Sequence, residues 1–400
     1  MDGFKSIAKR QEIEIRPLTI LAGANSSGKS SIMQPLLMLK QTLEAPYDPG
    51  PLKIDGPHVT FTANDQFLSR KTGLALPPLL RISLATESVE LNVSFAKRDV
   101  IELQEVSYGA LGSTVPLRPG MSEQEIGQAV RGDLKQLMAQ TYTLRRYKFF
   151  LFLEDLSNPG NPLTSIGYPD LHIEEVIHVP SLRGNLARVY PAAGSGRNFP
   201  GLFHHYVAST ILAWQKENSR RYEDLTQDLQ STDLALDVSA HRVNDAAIEI
   251  YVQLVKDRSD NIADVGTGVS QVLPVLVALR AAEPGRLVYL EEPEIHLHPR
   301  AQTKLADALA KAAKRGVRVV AETHSALLLR AIQTLVAKGE LDPDLVVFHW
   351  FTRDRDGVTR VTPAELDANG AFGDWPEDFG DVALRSEQEY LDAVEGRLAR

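Results

Sequence analysis

Three nearly unbroken apolar runs punctuate this chain: Leu18-Thr-Ile-Leu-Ala22, Arg286-Leu-Val-Tyr-Leu290 and Val317-Arg-Val-Val-Ala321. Runs of this kind, without polar alternation, predict strands buried on both faces, as in a parallel sheet. Residues 12–20 as a whole read as strands leading into a Gly-rich loop. The rhythm changes to period two in residues 79–106, where Leu80-Arg-Ile-Ser-Leu84 and Val89-Glu-Leu-Asn-Val93 predict half-buried antiparallel strands. Helical patterning covers residues 32–43 (with Pro35 tolerated in a first turn), 122–154, most of 202–229, 271–280 and 301–314. Residues 173–179 and 247–255 predict further strands, while 109–120 and Asn158-Pro-Gly-Asn-Pro162 predict turns and loop. Buried-type strands alternating with helices predict an α/β class: a parallel sheet, an antiparallel portion and a mostly helical insertion. The expected organisation is an N-terminal lobe over residues 1–105, a partly helical insertion over 106–170 and a C-terminal lobe over 171–400. Neither an internal repeat nor a sustained heptad run is visible, so no long coiled-coil arm is expected.

Composition narrows the chemistry. The 400 residues are 43% hydrophobic, enough for a sizeable core. The chain has no cysteine, which excludes disulfides, thiolate metal sites and cysteine nucleophiles. Met1-Asp-Gly-Phe-Lys5 has no apolar core behind it, so no signal peptide is expected, and no run approaches a membrane span. A cytoplasmic location is the expectation. The net charge of −9 argues against a surface that is basic throughout, while leaving room for a local basic stripe.

The first apolar run ends in Gly23-Ala-Asn25-Ser26-Ser27-Gly28-Lys29-Ser30-Ser31, a complete Gly-x-x-x-x-Gly-Lys-Ser loop between a predicted strand and a predicted helix. Such a loop turns backbone N–H groups inward as a nest for phosphate oxygens, and the helix adds its positive N-terminal end. Lys29 is expected to reach the β/γ-phosphates and Ser30 to ligate Mg²⁺. The second run ends in Glu291-Glu292. Glu291 stands where an acid associated with Mg²⁺ belongs, and Glu292 where a carboxylate would polarise an attacking water. The third run ends in Glu322-Thr323-His324-Ser325, which places His324 at the carboxyl end of a strand, the edge where ligands bind open α/β sheets.

Loop, paired acids and strand-end histidine together resemble the ABC-type ATPases, and within them the soluble SMC/RecF/OLD-like group. Phe4-Lys5-Ser6 and Glu291-Glu-Pro-Glu-Ile-His-Leu-His-Pro299 fit that group, and Gly266-Thr267-Gly268-Val-Ser270 resembles its signature segment. Gly370 with Trp375-Pro376 and Phe379 resembles a C-terminal domain of unknown function on prokaryotic members. The resemblance implies ATP and Mg²⁺ as ligands, sandwiched between two protomers, the P-loop of one facing the signature helix of the other. Three departures stand out. Glu291 replaces the usual aspartate, Gly266 replaces the usual signature serine and leaves Thr267 or Ser270 to supply the hydroxyl, and the Mg²⁺-sensing glutamine falls on no clear position, with Gln41 and Gln66 as candidates. His296 and His298 are expected to shape the dimer loop.

The expected function is an ATP-hydrolysing switch that dimerises around ATP and gates a separate effector, such as a nuclease, in prokaryotic defence against phage or plasmid DNA. The alternative is a RecF-like ATPase of DNA repair or maintenance, which binds DNA through Arg145-Arg146-Tyr147-Lys148 and Arg220-Arg221. A third class binds ATP without turnover, which Glu292 argues against. Asp354-Arg-Asp356-Gly357 mimics half of a Toprim nuclease site but reads as a hairpin turn, so no nuclease activity is expected from this chain.

Overall fold

The computed structural model describes residues 1–69, 79–110, 113–129, 142–155, 172–181, 187–194, 196–372, 388 and 392. The chain divides into two compact units. The first comprises Met1–Glu12, Ser30–Val176 and Arg353–Arg360; the second comprises Ile13–Lys29, Ile177–Thr352 and Val361–Arg400.

The second unit is built on a sheet that begins with β1 (Leu18–Gly23), which leads into the Gly-rich loop and α1 (Lys29–Leu43). In the first unit, β2 (Leu79–Ala85), β3 (Val89–Lys97), β4 (Ile101–Ala110) and β5 (Ser113–Leu117) form an antiparallel sheet in that order. Alternation puts Leu80, Ile82, Leu91, Val93 and Phe95 inside, as period two predicts. The turn-rich stretch 109–120 was expected to break the pattern; instead it holds β5, whose Val115 and Leu117 are buried although Pro116 and the neighbouring glycines disguise the alternation.

The helical expectation for residues 122–154 is corrected. Only α2 (Glu123–Ala129) is helical among its described residues, and β6 (Tyr142–Tyr147) and β7 (Phe150–Asp155) form a hairpin. Aromatic side chains favour a pleated, half-buried surface over a helix. Lys148, at φ 55, turns the chain between them, so the basic cluster lies on a hairpin and not on a helix face. Pro35 is also deeper than expected, in the interior of α1, where it removes one intrahelical N–H bond.

The second unit continues with β8 (Ile177–Val179), β9 (Tyr190–Pro191), α3 (Val207–Lys216) and α4 (Arg220–Ser231). Next come β10 (Asp237–Asn244), β11 (Ala247–Val255) and β12 (Arg258–Asn261), an antiparallel sheet with β9 beside β11. α5 (Thr267–Ala281), β13 (Leu287–Glu291), α6 (Pro299–Lys314), β14 (Arg318–Thr323), α7 (Ala326–Ala337), β15 (Val346–Arg353) and β16 (Thr359–Ala364) follow. The main sheet has the order β16-β15-β1-β14-β13-β8. β1 pairs in parallel with β14 and β15, and β13 with β14 and β8, so the buried-run reading holds. α5 is apolar nearly all round and buried from Val269 to Arg280. Its Arg280 ends in a buried ion cluster, Nε 2.8 Å from Asp228 Oδ2, while Lys311 Nζ lies 3.0 Å from Asp228 Oδ1.

Asp354–Gly357 is the expected turn: Asp354 Oδ1 accepts the N–H groups of Asp356 and Val358 at 3.1 and 2.9 Å. Gly370, at φ +71, accepts at its carbonyl a hydrogen bond from Gln333 Nε2 at 2.7 Å, and a Cβ there would lie 2.2 Å from the Gln333 carbonyl oxygen. Gly370→Ala is therefore expected to destabilise the protein by about 1–3 kcal/mol, read as a lower urea midpoint; an unchanged midpoint contradicts this placement. Trp375, Pro376 and Phe379 lie outside the described residues.

Candidate nucleotide site

The loop after β1 has an exposed tip, Ala24, Asn25 and Ser26, and buried shoulders, Ser27 and Lys29. Ser26 takes φ 61, and the Ser27 N–H closes a turn onto the Ala24 carbonyl at 3.3 Å. Gly23 is required sterically: a Cβ there would sit 2.3 Å from the Phe351 carbonyl oxygen and 2.9 Å from Ser27 Oγ. Gly28, at φ 104, leads into Lys29, which opens α1. Lys29 Nζ donates to the carbonyls of Gly23 and Ala24, 3.0 Å each, so its head sits across the mouth of the loop. Ser30 and Ser31 follow as the first turn of α1. Burial lowers the Lys29 pKa, against the pull of Glu322, Glu292 and Glu294 in that order.

Sheet order explains that list of carboxylates. β14 lies between β1 and β13, so the acids ending both β13 and β14 reach the same edge as the loop. Glu292 follows β13 in a left-handed conformation, φ 44, and its N–H binds the Glu322 carbonyl at 3.0 Å. A non-glycine residue held there is strained, and such strain gathers at functional sites. The Glu292 carboxylate is about one-third exposed, with Oε1 3.5 Å from His324 Nε2. Glu292 and His324 thus stand side by side at this edge.

Glu291 is placed differently. Its Oε1 lies 3.1 Å from His178 Nε2 and its Oε2 accepts the Ser181 N–H at 3.3 Å, both on the side of β8. Burial would raise its pKa, but the His178 contact and the Ser181 bond outweigh burial and lower it. Three residues that sequence reasoning left without a role join the site. Glu294 is buried; its Oε1 accepts the Thr323 hydroxyl and the His324 N–H, the latter at 3.1 Å, while Oε2 is buried with no hydrogen-bond partner. Burial raises the Glu294 pKa. Glu322 and Tyr289 are the other two, and the Tyr289 hydroxyl donates to Glu322 Oε1. A third carboxylate in Glu291-Glu-Pro-Glu294, and an acid inside an otherwise apolar strand end at Glu322, were the available signals.

His324 has a lowered pKa, through burial first and Lys29 second, opposed by Glu292. Removing a neighbouring cation favours the protonated imidazole. Lys29→Ala is therefore expected to raise the His324 pKa in an NMR titration; no change would place Lys29 away from the imidazole.

The signature segment forms the start of α5, with Gly266 as its N-cap. Gly266 and Thr267 are exposed. Ser270 is buried, and its hydroxyl donates to the Thr267 carbonyl at 3.0 Å. The Gly268 α-carbon faces the 292–298 loop, where a Cβ would meet the His296 carbonyl oxygen at 3.5 Å. In that loop His298 caps α6, its Nδ1 accepting the Arg300 N–H at 3.4 Å. Gln41 holds its own neighbourhood together: Nε2 donates to the Lys53 carbonyl at 2.8 Å and Oε1 accepts the Val59 N–H at 3.1 Å. Gln66 likewise binds Thr62.

Residues 153–330 match the family described as "AAA domain, putative AbiEii toxin, Type IV TA system". That span holds β13, β14 and the signature helix but not the loop at Gly23–Ser31. A search of curated proteins finds no match. Among solved structures the chain is similar to an SMC head bound to the C-terminal winged-helix domain of ScpA, with 14% identity over 92% of this chain and 96% of that one, TM-score 0.48. It is also similar to the SMC head domain from Thermotoga maritima, with 15% identity over 91% and 97%, TM-score 0.41. A third is the Pyrococcus furiosus Smc head with an extended coiled coil bound to the C-terminal domain of ScpA, with 11% identity over 98% of each chain, TM-score 0.46. Among the described residues no helix is long and apolar enough to cross a membrane. The chain thus has a Gly-x-x-x-x-Gly-Lys-Ser loop after a buried strand, β14 between that strand and the acid-tipped β13, and a match to that family over both acidic strand ends.

Proposed function

We propose that the chain binds and hydrolyses Mg-ATP, with Glu292 as the general base and His324 as its partner toward the γ-phosphate. The observation that carries this is the convergence, at one sheet edge, of the Lys29 head across the loop mouth with the Glu292–His324 pair. Gly23, Asn25, Ser26, Ser27, Gly28, Lys29, Ser30 and Ser31 form the phosphate loop. Lys29 would leave the Gly23 and Ala24 carbonyls for phosphate oxygens, which accept hydrogen bonds from an ammonium more strongly than neutral carbonyls do. Glu292 takes the proton of the attacking water, and neutral His324 donates a hydrogen bond toward the transferring phosphoryl group. The residues also fit Mg²⁺: a serine hydroxyl at Ser30 and carboxylates in excess over the single lysine leave negative charge for a divalent cation to balance. When bound, Mg²⁺ would neutralise charge developing on the phosphate oxygens.

We further propose that ATP joins two protomers. The exposed N-terminus of α5 offers its N–H groups to the partner's γ-phosphate, and Thr267 supplies the hydroxyl, because Ser270 is buried on its own helix. The dimer gates a separate effector in prokaryotic defence; the family description, with its toxin–antitoxin context, supports that reading. Direct DNA binding is the weaker reading. Arg146 is paired with Asp48 at 2.8 Å, Lys148 is buried on the Leu43 and Ala45 carbonyls, and Arg221 is paired with Glu283 at 2.6 Å. The test is phosphate release from Mg-ATP by the purified chain. Saturable release that Glu292→Gln abolishes is expected; no release, or equal release by the variant, overturns the reading.

A further inference from the structure

A buried polar layer crosses three neighbouring strands, β8, β13 and β14, at the carboxyl end of the main sheet. On β8, His178 stacks on Tyr289 of β13, with ring centroids 5.2 Å apart and planes 11° from parallel. His178 and the Ser181 N–H take the two oxygens of Glu291. The Tyr289 hydroxyl donates to Glu322 on β14 and also lies within reach of Glu291. Glu322 stands opposite Glu291 on one side and opposite Leu21, on the loop strand, on the other. Glu322 is therefore one strand nearer the loop than Glu291, and it is only 3% exposed. It is also the strongest of the carboxylates acting on Lys29.

A buried carboxylate is expensive unless its charge is balanced. Glu291 is held toward β8, whereas Glu322 is aimed from within the sheet by a hydroxyl on its neighbour. We propose that Glu322 is the carboxylate this chain offers to the divalent cation of a bound nucleotide, that Tyr289 is the positioning residue that aims it, and that Glu291 anchors β13 to β8. The inference rests on the reading that the loop binds Mg-ATP. Glutamate at 322 takes over the task that the sequence pattern assigned to the first acid of the Glu291-Glu292 pair.

The experiment is equilibrium titration with a fluorescent ATP analogue, in Mg²⁺ and in EDTA, without any measurement of turnover. Wild type should bind more tightly in Mg²⁺. Glu322→Gln should lose about tenfold of that tightening while its EDTA affinity holds or improves, the scale of one charge-assisted contact. Glu291→Gln should keep the tightening. Tyr289→Phe retains both carboxylates and should lose part of it, because the hydroxyl that orients Glu322 is gone. If Glu322→Gln does not fold, Tyr289→Phe decides alone. Tightening kept by Glu322→Gln, lost by Glu291→Gln, or unchanged in Tyr289→Phe overturns the proposal, as does wild-type binding that ignores Mg²⁺. Binding that is absent from wild type, or indifferent to Lys29→Ala, instead fails the nucleotide reading on which the proposal rests.

Discussion

Glu292→Gln is expected to bind Mg-ATP and to lower the turnover number by about two to four orders of magnitude, the usual contribution of a positioned general base. The carboxylate is about one-third exposed at the edge of the sheet, so water can reach it. Its backbone is fixed in a left-handed turn by the bond from its N–H to the Glu322 carbonyl. The variant keeps the shape and the hydrogen-bonding reach of the side chain but cannot take a proton. Binding should survive because Lys29 and the loop are untouched. Phosphate release measured beside analogue binding separates the two effects, and a variant that loses binding and turnover together would make Glu292 a ligand and not a base.

Lys29→Ala is expected to weaken nucleotide binding by about 1.5–3 kcal/mol, roughly ten- to a hundredfold in Kd, from the loss of charge-assisted bonds to phosphate. Two further effects point the same way. The head that crosses the loop mouth disappears, and with it the bonds to the Gly23 and Ala24 carbonyls. Glu322, Glu292 and Glu294 also lose the cation they surround, so the site becomes more repulsive to a polyphosphate. Titration with the analogue reads this directly; an unchanged Kd would mean that the nucleotide is held elsewhere.

The parts of this site that were legible in the sequence are those written in local pattern. β1, β13 and β14 announce themselves as unbroken apolar runs because both faces of the strands are buried. The loop is legible because its spacing leaves little conformational choice, and the strand ends at Glu291-Glu292 and His324 follow from where the runs stop. The hairpin of β6 and β7 is hidden because Arg145, Arg146 and Lys148 look like a charged helix face, whereas pairing with the strand just across the turn decides the conformation. β5 was missed because glycines and Pro116 carry a strong turn signal that sheet pairing overrides. Glu291 shows the deeper limit. Its partner His178 is 113 residues away, and only the placement of β8 beside β13 brings the imidazole to the carboxylate. Glu322 was read as the polar end of an apolar run, and nothing local distinguishes that from a carboxylate turned inward beside Tyr289.

Whether ATP closes a switch between two copies of this chain is read from the solution mass of Glu292→Gln, measured by light scattering with and without Mg-ATP. A sandwich dimer predicts a mass that doubles only when Mg-ATP is present, because the variant keeps the phosphate loop and the exposed start of α5 while blocking the hydrolysis that would release the partner. A monomer under both conditions, with binding of the nucleotide confirmed in the same sample, would contradict the trans role of Gly266, Thr267 and Gly268 and the sandwich itself. A mass that is dimeric or larger and indifferent to ATP would contradict it as well, since other surfaces would then hold the protomers together.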